Sequence, residues 1–249
     1  MKLAYSTLSN EEQTKILFST FGAVGYQGLQ LKGNQYWSHL DTPETFVDAY
    51  GKYPGAANGL ICGFNPLERE NCDKIRRMIR FGAGAGTDLI IVCLSNDRTT
   101  IDHKDIADIA RAAAVLGQEA LDQGVKLTVH NHHNSPLMHR EDFDVFYDSI
   151  PAGTVGLTLD TAHVVKSGIA DIAELIRSFA GVIDNYHLKD FGENAWQVLG
   201  HGQIDFAPVF DAIRSTGYDG WISADEESGA ELTKAMQECL VYMKKGLEI

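Results

Sequence analysis

Along the chain, short apolar runs alternate with longer segments whose apolar positions fall three and four residues apart. The short runs are KLAYS (2–6), YQGLQLK (26–32), NGLICGF (58–64), TDLIIVCL (87–94), VKLTVHN (125–131), VGLTLD (155–160), VIDNYHLKD (182–190) and DGWISAD (219–225). Their length and β-branched content predict strands. Between the first two, NEEQTKILFSTFGAVG places Ile16, Leu17, Phe18 and Phe21 near one face, with Ser9 or Asn10 as the cap. HKDIADIARAAAVLGQEALDQG, DFAPVFDAIRSTG and ELTKAMQECLVYMKKGLEI repeat that spacing and predict further helices. Gly25, Gly124, Gly181 and Gly217 each come just before a strand, where the end of a helix favours left-handed backbone. Strand starts recur at roughly 30 residues, the length of one strand–helix unit. Eight such units predict an α/β fold, the (β/α)8 TIM barrel. An open doubly wound sheet usually has a glycine-rich phosphate loop after its first strand, whereas this chain has YSTLSNEEQT there. Nothing linker-like breaks the rhythm, so residues 1–249 are expected to form one domain.

A barrel of this kind gathers its chemistry at the C-terminal ends of its strands. The fifth strand ends at His130, the sixth at Asp160, the seventh at His187 and the eighth at Asp225. Alternate residues of a strand face alternate sides, and the side toward the helices is the more apolar. Val125, Leu127 and Val129 oppose Lys126, Thr128 and His130, while Val155, Leu157 and Leu159 oppose Gly156, Thr158 and Asp160. Ile222 and Ala224 oppose Ser223 and Asp225. His130, Asp160 and Asp225 therefore point inward. The seventh strand is less regular; its alternation puts His187 inward and Asp184 outward. Each residue taken singly has a plainer role: Asp160 as a helix cap, a histidine as a hydrogen-bonded core group, Asp225 solvated beside Glu226 and Glu227. Together on one inner rim, the four point to a shared divalent ion. Mixed imidazole and carboxylate donors suit Mn, Zn, Co or Fe better than an all-oxygen calcium site.

Composition narrows the partners. A formal charge of −13 disfavours nucleic acid, which is normally met by a basic patch. No apolar run approaches the roughly 20 residues needed to span a bilayer, and the N-terminus lacks a secretory pattern. A cytoplasmic location with no membrane partner is the expectation. Cys62, Cys72, Cys93 and Cys239 contain no C-x-x-C pair, which argues against a disulfide framework or a thiolate zinc site.

VGLTLDTAH, NYHLKD and LGHGQIDFAPVFDAIRSTGYDGWISAD closely resemble the xylose-isomerase-like TIM-barrel superfamily. Its members include ketose 3-epimerases, hydroxypyruvate isomerases, inosose isomerases and inosose dehydratases. The resemblance implies one metal held by a Glu, an Asp, a His and a Glu on strands five to eight. Here those positions are His130, Asp160, His187 and Asp225, so His stands for the first Glu and Asp for the last. In the epimerases those two glutamates are also the acid–base pair. Dehydratase-like members end the fifth strand in His-x-His, as HNH does here, which leaves both His130 and His132 open as the ligand from that strand.

The implied chemistry is proton removal beside a metal-polarised carbonyl, giving an enediolate. Candidate bases are His130, His132 and Asp225; Glu227 shares the parity of Asp225 and is a further base or substrate contact. His163 and Lys189 are candidate donors to substrate oxygens. Trp37 and Trp196, in the loops after the second and seventh strands, are candidates to stack on a sugar, with His201 in the same rim loop as Trp196. The leading expectation is an isomerase or epimerase of a small sugar, sugar phosphate or keto-polyol, with a homo-oligomer possible. The alternatives are a dehydratase or lyase on an inosose-like or 3-keto sugar, and a non-catalytic sugar-binding barrel. A nuclease of the same superfamily would need several metals and a basic rim.

Overall fold

The computed structural model describes residues 1–249. Eight parallel strands close into a barrel: β1 (Lys2–Thr7), β2 (Gly28–Leu31), β3 (Gly59–Phe64), β4 (Leu89–Leu94), β5 (Lys126–His130), β6 (Gly156–Asp160), β7 (Ile183–Leu188) and, after a short antiparallel hairpin of β8 (Asp190–Gly192) and β9 (Ala195–Gln197), β10 (Trp221–Glu226). Neighbours follow chain order, and β10 closes the ring on β1 from Lys2 opposite Trp221 to Thr7 opposite Glu226. Each expected strand forms at its expected place; the hairpin β8–β9 was not anticipated. The helices between them are α1 (Glu11–Val24), α2 (Pro43–Tyr50), α3 (Arg69–Ala85), α4 (His103–Leu121), α5 (Arg140–Asp148), α6 (Thr161–Lys166), α7 (Ile172–Ser178), α8 (Ala207–Ser215) and α9 (Leu232–Leu247). Asn10, rather than Ser9, caps α1, and its side chain accepts the amide of Gln13 at 2.9 Å. Gly25, Gly124 and Gly217 adopt positive φ as expected of helix ends; Gly181 does not. No helix is long and apolar enough to cross a membrane.

Strand parity divides the interior into two parts. Leu127, Val129, Leu157, Leu159, Tyr186, Leu188 and Ile222 face outward and join one large core with the helices. Inside the barrel, Ala4, Ile61, Leu89, Ile91 and Trp221 form a small apolar floor. Buried polar groups follow: the hydroxyls of Thr128 and Thr158 lie 2.7 Å apart, and Gln30 and Asn185 exchange amide hydrogen bonds at 2.9 and 3.1 Å. These four side chains are all paired, as burial demands.

The irregular alternation of β7 has a cause. Between Leu157 and Thr158 of β6 the partner on β7 jumps from Ile183 to Asn185, leaving Asp184 in a bulge. Asp184 does not face the helices as strict alternation predicts. It fills the space beside Gly156 that a Cβ there would take, 2.3 Å from its Oδ2, and pairs with Lys126.

Gly117 lies inside α4, where alanine is normally the better helix former by about 1 kcal/mol. A Cβ there would come 2.0 Å from the Thr154 carbonyl oxygen in the turn that leads into β6. Gly117→Ala is therefore expected to lower stability, by roughly 1–3 kcal/mol, because the backbone must yield. Urea denaturation checks the sign; a more stable variant would show that α4 does not pack this closely.

Candidate metal centre

His130, Asp160, His187 and Asp225 end four consecutive barrel strands, and one donor atom from each lies within 4.8 Å of the others. All four are buried. Asp160 serves two purposes with two oxygens. Its Oδ1 accepts the His163 amide at 2.9 Å and so caps α6, while Oδ2 faces His130 Nε2 at 3.3 Å. The capping role and the ligand role are compatible, since each uses a different lone pair. Asn131 ties the same corner together: its Oδ1 accepts the Asp160 amide at 2.7 Å and its Nδ2 donates to the Asp160 carbonyl at 3.1 Å. Burial works to raise the pKa of Asp160, but His163, His130 and Lys189 outweigh it and hold the carboxyl below its usual range.

The orientation of His187 follows from the polar layer beneath it. Gln30 is locked by Asn185, so its Oε1 points at His187 Nε2 at 2.7 Å and makes that nitrogen the proton carrier. The Nδ1 lone pair is then left free, buried and without a hydrogen-bond partner, 3.8 Å from Asp225 Oδ2. Burial drives the His187 pKa down to about 3, against the pull of Asp225, so the ring is neutral. Nδ1 of His130 is likewise buried and unpartnered. Burial also disfavours charge on His130, yet Cys93 and Asp160 beside it outweigh that and raise its pKa.

Asp225 sits in a different environment. Its Oδ1 is 2.8 Å from Lys32 Nζ and its Oδ2 is 3.1 Å from Lys189 Nζ. Both ammoniums also meet Glu227, Lys32 at 2.9 Å and Lys189 closer still. Burial would raise the pKa of Asp225; Lys189 and Lys32 reverse that and hold it well below the usual value. This leaves Asp225 a poor base.

The residues fit a divalent ion. Two imidazoles and two ionised carboxylates converge, with the His130–Asp160 and His187–Asp225 donors 3.3 and 3.8 Å apart, and an orphaned lone pair on His187 lies among them. His130, not His132, is the strand-five member of the quartet.

His132 stands beside it, its ring 6.1 Å from that of His130 and 3.8 Å from that of His163. Its Nδ1–H donates to the His133 carbonyl at 2.8 Å, which leaves the Nε2 lone pair free. Nδ1 of His163 accepts the His133 amide at 3.3 Å, so Nε2 of His163 carries the proton. Burial lowers the His163 pKa to about 2 despite Asp160, and lowers that of His132 as well, with His130 adding to the effect. The pair is neutral, one ring a proton acceptor and the other a donor.

Trp196 joins this wall: its ring centre is 5.0 Å from that of His163 and 4.5 Å from Lys189 Nζ. The fold does not bring Trp37 or His201 to the quartet. Trp37 packs on Tyr36 under the Lys74 ammonium, and His201, 59% exposed, faces Glu238 at 3.7 Å. Sequence reasoning missed Gln30, Lys32 and Asn131. The alternation test applied to β2 would have found the first two, because Leu29 and Leu31 oppose Gln30 and Lys32.

Comparison with known proteins gives these groups a context. The sequence model of the xylose isomerase-like TIM barrel matches residues 45–245. An inosose dehydratase of Clostridium botulinum is 26% identical over 148 residues, covering 52% of this chain but only 49% of that protein. The chain thus matches about half the length of that relative. An inosose dehydratase of Lacticaseibacillus casei is 25% identical over 82% of this chain and 78% of its own. Among solved structures, D-psicose 3-epimerase with D-tagatose from Clostridium cellulolyticum H10 superposes with a TM-score of 0.83 at 15% identity, over 100% of both chains. That last likeness is one of fold.

Asp160→Ala and His187→Ala are each expected to lose the bound divalent ion when the purified protein is assayed for metal. Gln30→Leu, which removes only the group that orients His187, is expected to weaken binding about 10–100-fold. Wild-type metal content and affinity in all three variants would dismantle the site.

Proposed function

The chain belongs to the xylose isomerase-like TIM-barrel family, and from that premise we propose that it is a divalent-metal-dependent enzyme removing a proton beside the carbonyl of a small sugar or polyol ketone. The observation that carries the reading is the pairing of the donor quartet with His132, whose ring centre lies 6.1 Å from that of His130 and whose tautomer leaves Nε2 free. When bound, the ion supplies a Lewis acid that draws charge from a substrate carbonyl. His130, Asp160, His187 and Asp225 would hold it. His132 Nε2 then takes the proton from the neighbouring carbon, and the C–H electron pair becomes the C=C bond of the enediolate. His163 Nε2–H donates a hydrogen bond to a substrate oxygen, and Trp196 lines the same side of the site. Lys32 and Lys189, which directly follow β2 and β7, offer ammonium donors to the remaining oxygens.

Dehydration is the favoured outcome. Loss of a β-hydroxyl from the enediolate, with one proton, releases water and leaves an unsaturated ketone. Inversion at carbon asks for a second free base on the opposite face. The carboxylates there, Asp225 and Glu227, are both engaged by Lys32 and Lys189. The two relatives named as inosose dehydratases support an inosose-like ketone as the substrate class. An isomerase or epimerase is the second reading. The neutral His132–His163 pair favours it, because a donor and an acceptor side by side can return a proton to a neighbouring atom.

Incubation with cyclic and open-chain ketoses in D2O separates the two. A dehydratase yields a product lighter by one water, whereas an isomerase yields a deuterated product of unchanged composition. No C–H exchange on any ketone tested, with metal bound, would sink both readings. The pH profile tests the base. His132 has its pKa lowered from the ordinary 6.5, chiefly by burial, so its basic form is lost only as pH falls below that value. The acid limb of kcat/KM is therefore expected below pH 6.5 and absent in His132→Gln. A limb centred above 6.5 would exclude His132.

A further inference from the structure

Asp190 opens the rim loop that follows β7, and its side chain is only 1% exposed. Its four hydrogen-bond partners are all peptide amides. Oδ1 accepts from Phe191 at 2.8 Å and from Ile204 at 3.3 Å, and Oδ2 accepts from Gly200 and Gly202 at 2.9 Å each. One carboxylate thus closes both ends of a loop running from 191 to 204. The segment LGHGQI, which carries no reactive group at the site, has its explanation here. Gly200 takes positive φ of 90°, and a Cβ on Gly202 would come 2.2 Å from Asp190 Oδ1. The glycines let backbone wrap a charged side chain.

What the loop presents is Trp196, in the hairpin β8–β9, backed by Phe191 at a ring separation of 5.3 Å. Charge-assisted bonds to amides are stronger than neutral ones, and four on one carboxylate make a stiff anchor.

We propose that Asp190 is a positioning residue, which fixes the 191–204 loop so that Trp196 stands as a rigid wall over Lys189 and His163 and selects ketones with a ring face to stack. The substrate half of this inference rests on the reading of the site as a ketone-acting enzyme; the anchoring half does not. An aromatic wall favours the C–H face of a cyclic polyol, which an extended open-chain sugar does not present continuously.

A double-mutant cycle on the metal-loaded full chain tests it. Asp190→Asn and Trp196→Ala are each expected to raise KM for scyllo-inosose about tenfold, with kcat and bound metal little changed. The double variant should be no worse than Trp196→Ala alone, because Asp190 acts through Trp196. Additive losses would overturn the proposal. Trp196→Ala should also lose the preference for scyllo-inosose over D-fructose, and a retained preference would remove the stacking role. If Asp190→Asn fails to fold, Gly202→Ala disturbs the same anchor from the loop side and should reproduce its KM effect. If the wild type acts on neither ketone, the inosose-like substrate class has failed, and the anchor is judged separately by limited proteolysis. Asp190→Asn or Gly202→Ala should then be cut within 191–204 at least tenfold faster than the wild type at equal Tm, and equal rates would overturn it.

Discussion

Two ionised carboxylates, Asp160 and Asp225, lie buried at the mouth of a closed barrel, and the surrounding architecture is largely a response to their charge. Desolvating a carboxylate costs several kcal/mol unless charge or hydrogen bonds compensate it. Asp160 is compensated locally, by the first turn of α6 and by His130. Asp225 is compensated from a distance, by Lys32 across β1 and by Lys189 from β7. Only a closed ring brings those two lysines onto one acid. Glu227 then returns negative charge to both ammoniums, so neither is left unpaired.

These two solutions make the mouth asymmetric. On the β5–β6 side, beside His130, stand the neutral rings of His132 and His163, with tautomers set by backbone carbonyl and amide partners. On the β2–β10 side they are ammoniums and carboxylates locked together. A neutral ring with a free lone pair can accept a proton at neutral pH, whereas a carboxylate clasped by two lysines cannot do so readily. The division of labour in the proposed chemistry follows from that contrast more than from the donor quartet itself. The polar layer below contributes as well, because the Gln30–Asn185 pair decides which nitrogen of His187 faces the quartet.

Much of this was legible in the linear chain. Side-chain alternation in a strand is a local property, so the inward facing of His130, Asp160 and Asp225 could be read from their apolar neighbours alone. The same test, not applied to β2, would have disclosed Gln30 and Lys32. It failed at Asp184, where a bulge shifts the register by one residue; whether a strand bulges depends on its partner. Loop residues were less legible still. Trp37, Trp196 and His201 are alike as rim candidates in sequence, yet only Trp196 reaches the cluster, because the fold of a loop is set by what it packs against.

By itself, then, the sequence determined the strand–helix rhythm, the barrel it implies and which strand ends carry imidazole and carboxylate. Each of these depends on periodicity within one element. The tertiary structure alone decided that His130 rather than His132 joins the quartet, that Lys32 and Lys189 share Asp225, and that the glycines around His201 wrap Asp190. Those outcomes depend on distances between residues far apart in the chain, and such distances exist only once the ring of strands has closed.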